Sequence, residues 1–482
     1  MTEDPWFETD IATLQTAMQC GELSAVELVT RFIQRIDTLD SSGPTLNAIQ
    51  HINERALADA EALDAARAAG QLKGPLHGIP LLVKDNYETQ AMPTTAGSVL
   101  FAGFHPQRDA TLVARLRAAG AVILAKATMH EFAYGITTVG SAFGSTRNPY
   151  DLTRNPGGSS GGTGAAVAAG FAVAGFGSDT CGSIRIPAAQ NNLFGMRPTQ
   201  GFSSRHGIVP LSSTQDIGGP LARNVADLSL LLALTAGYDP ADAQTSVMRD
   251  IEVNFTGLIA REGVRVGVMT DWMRVDADDD AVASVVTAAL QAMQREAGWQ
   301  LVDTPSPRVD ASVDRAWNGH VVLIADFGRD INAYLAANPE LGIQDLADLL
   351  SRELHHDDIS ASMQASLAMA NADEIYAQEL AQRDVVRGAL LELMAEHQLD
   401  VLAYPSIRRT SAKLGEEQYG TNCRLAANSG CPAISIPAGF ASDGMPVGLE
   451  LLGAPHSERL LLELALTVEQ RYPQRRPPTL HA

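Results

Sequence analysis

Two glycine-serine loops and one strand-end lysine are the residues of this chain whose types and spacing can do chemistry. The first loop reads Gly157-Gly158-Ser159-Ser160-Gly161-Gly162. The second reads Asp179-Thr180-Cys181-Gly182-Ser183-Ile184-Arg185-Ile186-Pro187, which puts Ser159 and Ser183 at a spacing of 183 − 159 = 24 residues. Glycines around a serine let the backbone adopt positive φ and approach a substrate closely, so successive N–H groups can face one concavity. Such a nest can hold the oxyanion of an acyl-transfer reaction.

Three chemistries compete for these loops. A phosphate-binding loop needs lysine and then serine or threonine after its last glycine, whereas Gly162 is followed by Thr163 and Gly164. A hydrolase nucleophile elbow is matched by the pattern of Gly158 to Gly162, but an elbow follows a strand directly, and Tyr150 to Pro156 is a polar, proline-ended loop. The histidines that could complete its triad, His206, His320 and His456, have no suggestive local setting and read as structural or surface residues. The third chemistry uses a lysine base. Lys84 ends the apolar run Ile79-Pro80-Leu81-Leu82-Val83. A serine hydroxyl is a weak nucleophile until a base takes its proton, and a lysine with a lowered pKa can be that base. A free lysine titrates near about 10.4, so work at neutral pH needs a downward shift of about 3 units, roughly 4 kcal/mol, which burial can supply. The competing reading is a surface ion pair between Lys84 and Asp85.

The sequence resembles the amidase signature family in Gly157 to Gly162, in Asp179 to Pro187, and in Gly78-Ile79-Pro80-Leu81-Leu82-Val83-Lys84-Asp85-Asn86. The likeness continues in Asn428 to Ala433, Ile436 to Gly439 and Gly444 to Gly448, so it spans nearly the whole chain. It implies that Lys84 is the base, Ser159 a bridging serine held by a cis peptide after Gly158, and Ser183 the nucleophile that becomes acylated. It implies an oxyanion hole from the backbone amides of Thr180, Cys181, Gly182 and Ser183. Family members commonly carry glycine where this chain has Cys181, which puts the geometry of that hole in question and raises a cysteine nucleophile as a minor alternative. Ser160 is expected to support its loop, and Asp179 to anchor the second loop from a buried position. Arg185 either pairs with such a carboxylate or binds an anionic substrate. Gln215 to Pro220 resembles a family segment beside the site and is expected to support it or touch substrate.

The resemblance also implies the fold: α/β, with a large twisted mixed β-sheet sandwiched between helices in a single domain over 1–482. It calls for no cofactor and no metal, and its substrate is a small-molecule amide. Peptide amides, aryl amides, carbamates and aliphatic amides all stay open. The pocket walls are expected from the Met129 to Thr138 region and from the helical segment after 311. Met129, Phe132, Tyr134, Phe143, Trp317 and Phe327 suggest an apolar acyl pocket, although core packing accounts for them equally well. The alternative function is the glutaminase-type amidase component of a tRNA-dependent amidotransferase, releasing ammonia for a partner.

The elements that must position these residues can be read from the pattern. Ser24-Ala25-Val26-Glu27 is a capping box, and Leu28, Phe32, Ile33 and Ile36 follow at helical spacing. A helix is expected near 53–69, a strand at Ile79 to Val83, and a helix from 109 leading into the strand Ala121 to Ala125. Ala165 to Ala169 reads as helix and Phe171 to Phe176 as buried strand. Further strands are expected at Val264 to Met269, Leu301 to Asp303, Val401 to Tyr404, Ala433 to Ile436 and Val447 to Leu452. Residues 311–398 read as a helical insertion over one side of the sheet.

Whole-chain quantities set the bounds. The 482 residues, 45% hydrophobic and 19% charged, provide globular composition and a substantial core. A formal charge of −21 repels nucleic acid backbones and anionic membranes, so neither is an expected partner. No apolar run approaches the length of a membrane span, and the acidic start Met1 to Pro5 lacks the pattern of a secretory signal. Cys20, Cys181, Cys423 and Cys431 form no CxxC pair and read as reduced thiols of a cytoplasmic protein, with a homodimer left open.

Overall fold

Runs that are apolar on both faces become strands covered by helices on both sides. Pro80–Lys84 and Val122–Ala127 are such runs, and every residue in them is buried. The computed structural model, which describes residues 4–316, 321–369 and 373–480, places them side by side in an eleven-stranded mixed sheet. In chain order the strands are β1 (Ile49–Ile52), β2 (Pro80–Lys84), β3 (Val122–Ala127), β4 (Ala174–Ser178), β5 (Phe194–Arg197), β6 (Gly218–Ala222), β7 (Arg265–Val268), β8 (Gln300–Asp303), β9 (Val401–Pro405), β10 (Ala433–Phe440) and β11 (Pro446–Leu452). Their order across the sheet is β1-β3-β2-β4-β6-β5-β10-β11-β9-β7-β8.

The parallel segment β3-β2-β4 positions the chemistry. Leu81, Leu82 and Val83 pair with Ala174, Gly175 and Phe176, so Lys84 and Ser178 leave the sheet together at the carboxyl ends of neighbouring parallel strands. Ligand sites of α/β sheets form at that edge. Ser159 and Ser160 immediately precede the buried helix Gly161–Ala168, and Ser183 lies between β4 and the buried helix Arg185–Gln190.

The N-terminal helix runs Ala25–Leu39 with Ser24 as its cap and both capping-box bonds formed, as the pattern predicts. The stretch expected near 311–398 is helical, as Pro307–Ala316, Val321–Ala337, Leu346–Ser351, Asp357–Ala368 and Asp373–Glu396. Its apolar side joins Phe101, Phe132, Val209 and Leu211 in a core cluster of its own through Phe327, Ile331, Leu335, Ile359 and Met363. β1, β5 and β6 are the strands that the hydrophobic pattern does not reveal. β1 is half-buried along its length, and β6 reads Gly-Gly-Pro-Leu-Ala, where glycine and proline mask the strand signal. A side chain at Gly218 would sit 2.6 Å from the Tyr87 hydroxyl and 2.7 Å from Leu112 Cδ2, so close packing rather than β propensity requires that glycine. Among the described residues no helix is long and apolar enough to cross a membrane.

Candidate active site

Lys84 is fully buried at the end of β2. Its Nζ lies 2.7 Å from Ser159 Oγ, 2.9 Å from Ser178 Oγ and 3.3 Å from the Ser178 carbonyl oxygen. Burial lowers its pKa to about 7, against the opposing pull of the Asp216 and Asp179 carboxylates. The surface ion pair with Asp85 does not form: Asp85 Oδ1 lies 3.3 Å from the Nζ of a second buried lysine, Lys126. Three acceptors match the three N–H bonds of an ammonium. After loss of one proton, two N–H bonds still reach the Ser178 oxygens, and the lone pair faces the Ser159 hydroxyl. The Lys84–Ser159–Ser178 cluster can therefore change protonation state without moving a heavy atom.

Ser178 and Asn86 are members of this arrangement that sequence reasoning missed. Asn86 Nδ2 donates to Ser178 Oγ at 3.0 Å. With Lys84 donating to the same oxygen, the Ser178 hydroxyl has both lone pairs engaged. The signal was available, because Asn86 stands two residues beyond the lysine and Ser178 ends a strand. Ser178→Ala removes an acceptor that favours the charged lysine, and bonds to charged groups contribute about 1.5–3 kcal/mol. The acidic limb of the kcat–pH profile is expected to move down by about one unit, the equivalent of about 1.4 kcal/mol. An unmoved limb would assign Ser178 a packing role only.

The Gly158–Ser159 peptide is cis. Ser160 ties the two loops together, its N–H donating to the Ser183 carbonyl oxygen at 3.2 Å and its hydroxyl to the Ser178 carbonyl oxygen, also at 3.2 Å. The Ser183 hydroxyl makes no protein hydrogen bond among the described residues and borders a cavity of about 290 Å³.

Asp179 is the pivot of the second loop. Its carboxylate accepts from Gly182 N at 2.7 Å, Ile184 N at 3.1 Å, Arg185 Nε at 3.1 Å and Arg197 Nη1 at 3.0 Å. Burial alone would raise this carboxyl, but the two guanidiniums and the N–H donors hold it well below the usual carboxylate range. Arg185 is fully buried between Asp179 and Glu450 and does not border the cavity, so it is an ion-pairing residue rather than an anion binder. One expected oxyanion donor is corrected: the Gly182 N–H is spent on Asp179 Oδ1 at 2.7 Å. The N–H groups of Thr180, Cys181 and Ser183 have no protein acceptor among the described residues, and the positive φ of Gly182, 88°, gives the turn its nest shape. Asp216, from the Gln215–Pro220 segment, accepts from the Thr180 hydroxyl at 2.5 Å and from the Leu211 and Ser212 N–H groups at 2.8 and 3.0 Å.

The expectation of four reduced thiols is also corrected. Cys181 and Cys423 form a disulfide across 242 residues, with Cα atoms 4.9 Å apart, because the loop before the helix Arg424–Ser429 folds against the second serine loop. Cys20 and Cys431 remain free. The bridge leaves Cys181 no thiol for nucleophilic chemistry.

The cavity is bordered by Tyr134, Ile136, Leu211, Leu323, Ile324 and the disulfide, together with small and hydroxyl residues and, among the described residues, no charged side chain. Of the expected aromatic lining, Tyr134 is the one described residue that reaches it. Met129, Phe132 and Phe327 pack behind the wall, where Tyr134 and Phe327 stand edge-on with ring centroids 4.9 Å apart, and Phe143 is half-buried away from it. Trp317 and His320 lie outside the described residues; His206 and His456 do not border the cavity. The helices after Pro307 supply Leu323, Ile324 and Ser362, and they grip the 211–216 loop: Asp326 accepts from the Ser212 and Thr214 hydroxyls at 2.5 Å each, and Arg383 donates to Gln215 Oε1 at 2.6 Å.

A mixed sheet with a buried lysine and two serine loops at the carboxyl ends of its parallel strands defines an α/β scaffold of the amidase kind. Residues 27–462 match the Amidase family model, and the chain belongs to that family, whose members act on carbon–nitrogen bonds. It is 36% identical over 477 residues to the glutamyl-tRNA(Gln) amidotransferase A-type subunit of Moorella thermoacetica, covering 95% of each chain. The corresponding protein of a Synechococcus species is 37% identical over 493 residues, covering 97% of this chain and 93% of that one. The native peptide amidase of Stenotrophomonas maltophilia superposes with a TM-score of 0.92 at 35% identity, over 99% of this chain and all of that one. The A-type amidotransferase subunit of Thermotoga maritima superposes with a TM-score of 0.78 at 27% identity, over the full length of both.

Proposed function

We propose that this chain, as one amidase domain with a helical insertion, hydrolyses carboxylic amides whose acyl side is uncharged and largely apolar. Ser183 Oγ attacks the amide carbon and gives its proton to Ser159 Oγ as the Ser159 proton passes to neutral Lys84. The developing oxyanion meets the N–H groups of Thr180, Cys181 and Ser183. Lys84 then returns a proton through Ser159 to the leaving nitrogen, and water, activated by the same relay, cleaves the acyl-enzyme. The observation that carries this reading is the fully buried Lys84, 2.7 Å from Ser159 Oγ, beneath a cavity that Ser183 borders.

The identity to the A-type subunits of amidotransferases favours a second reading, glutamine hydrolysis for a partner enzyme. The uncharged cavity weighs against it. Glutamine carries an ammonium and a carboxylate beside its amide, and each would lose water there without a charged partner. At about 1–3 kcal/mol or more for each unpaired group, the purified chain alone is expected to hydrolyse a dipeptide amide or anilide at least about 100-fold better in kcat/KM than glutamine. Ammonia release from glutamine at a comparable rate, or silence toward every amide until a partner is added, would overturn the first reading. For location, the disulfide weighs toward an oxidising compartment and against the cytoplasm expected from reduced thiols.

A further inference from the structure

The disulfide stands in the wall of the reaction cavity. Cys181 and Cys423 both border it, as does Thr421, two residues before the bridge. Cys181 is half-buried and Cys423 only 4% exposed, so a small reagent entering the cavity meets the Cys181 side first. A side chain at Gly182 would lie 2.9 Å from Cys423 Cβ, so the bridge packs directly onto the turn that carries the free N–H groups. The two sides of that turn are held differently. From the core, Asp179 fixes Gly182 and Ile184 through hydrogen bonds that need no disulfide. From the C-terminal side, the Cys423 carbonyl oxygen accepts from Ala427 N at 3.2 Å and Arg185 Nη2 at 3.4 Å, its N–H donates to Thr421 Oγ1 at 3.3 Å, and its neighbour Asn422 donates to the Trp272 and Pro405 carbonyls at 2.9 and 2.8 Å. The bridge is the covalent tie between this wall and the nest, so its loss would let the wall at 421–423 shift while Asp179 keeps the nest in place.

We propose that the Cys181–Cys423 disulfide is a specificity-determining wall of the amide site, and that its cleavage by a small dithiol changes which amides the site accepts. This rests on Ser183 as the reacting centre. In the cleavage, one thiolate of the dithiol attacks the Cys181 sulfur, the S–S bond breaks, and Cys423 leaves as a thiolate that takes up a proton. The second thiol then resolves the mixed disulfide, so the bridge gains two electrons and the dithiol departs oxidised. A bulky acyl group relies on the wall for its placement, and a displacement of about 1 Å can cost about 10² in rate. A small aliphatic amide is positioned by Ser183 and the free N–H groups and is expected to depend less on the 421–423 side of the wall.

The test uses the whole enzyme before and after treatment with dithiothreitol, with alkylation and mass measurement counting two added thiols on reduction. For a dipeptide amide, kcat/KM is expected to fall by about tenfold or more on reduction, with the loss appearing in kcat. For propionamide it is expected to stay within about twofold. Cys423→Ala should show the reduced profile with or without dithiothreitol. Hydrogen exchange at 421–423, read independently of activity, should quicken on reduction. Identical profiles in the two redox states, or equal losses for small and bulky amides, would overturn the inference. If neither state hydrolyses any amide, the functional reading fails instead, and unchanged exchange at 421–423 would still refute the freed wall.

Discussion

Ser183→Ala is expected to abolish amide turnover, by about 10⁴- to 10⁶-fold, because removing a serine nucleophile costs nearly as much as removing its whole catalytic unit. The same substitution should prevent covalent labelling by a serine-directed phosphonate. Ser183 is proposed as the nucleophile ahead of its neighbours on their hydrogen bonding. Ser159 is occupied by Lys84 at 2.7 Å, Ser160 is spent on the Ser178 carbonyl oxygen, and Cys181 is bridged, whereas the Ser183 hydroxyl borders the cavity without a protein partner among the described residues. A label found by mass spectrometry on Ser159 or Ser160 in the unaltered enzyme would sink the assignment.

Lys84→Ala is expected to lower kcat by about 10² to 10⁴, the range for a lost general base, with little change in KM. Little change in KM follows from its position, since Lys84 is fully buried and does not border the cavity. The pH dependence supplies the sharper readout. Burial lowers the lysine to about 7, while the Asp216 and Asp179 carboxylates pull the other way; His130, another neighbour of this charge, is itself lowered by burial to about 3 and stays neutral. Below about pH 7 the lysine is charged and cannot accept a proton, and above it the neutral base accumulates. Activity should therefore rise with pH through the neutral range in the unaltered enzyme, and that limb should vanish in Lys84→Ala. A mutant that kept the limb and lost substrate affinity would make Lys84 an anchor, and the relay would be wrong.

Much of the scaffold was readable because it rests on local pattern. The capping box at Ser24 and Glu27, the apolar runs that became β2, β3 and β9, and the helices from Pro307 to Glu396 each follow from residues within a few turns of one another. The strands that escaped, β1, β5 and β6, are short, and β6 is built on glycine and proline. Their pairing is decided by neighbours far away in sequence: Gly218 faces Ser178 in β4. The same division separates correct from mistaken pocket residues. Tyr134 reaches the cavity, but Met129, Phe132 and Phe327 turn away into the cluster beneath the insertion, and composition cannot distinguish the two faces of a wall.

The sequence by itself determined the candidate residue types, two serines in glycine-rich loops and a lysine at a strand end. Glycine freedom, hydroxyl chemistry and strand hydrophobicity are properties of a residue and its immediate neighbours. Only the tertiary structure decided which N–H groups stay free. Asp179 takes that of Gly182 because Arg185 and Arg197, from different elements, converge on the carboxylate and keep it ionised inside the protein. Only the tertiary structure joined Cys181 to Cys423, since a pairing over 242 residues depends on the order of strands in the sheet and not on spacing along the chain. And only the tertiary structure brought Ser178 and Asn86 to the lysine, through the parallel pairing of β2 with β4 that ends both strands at one edge.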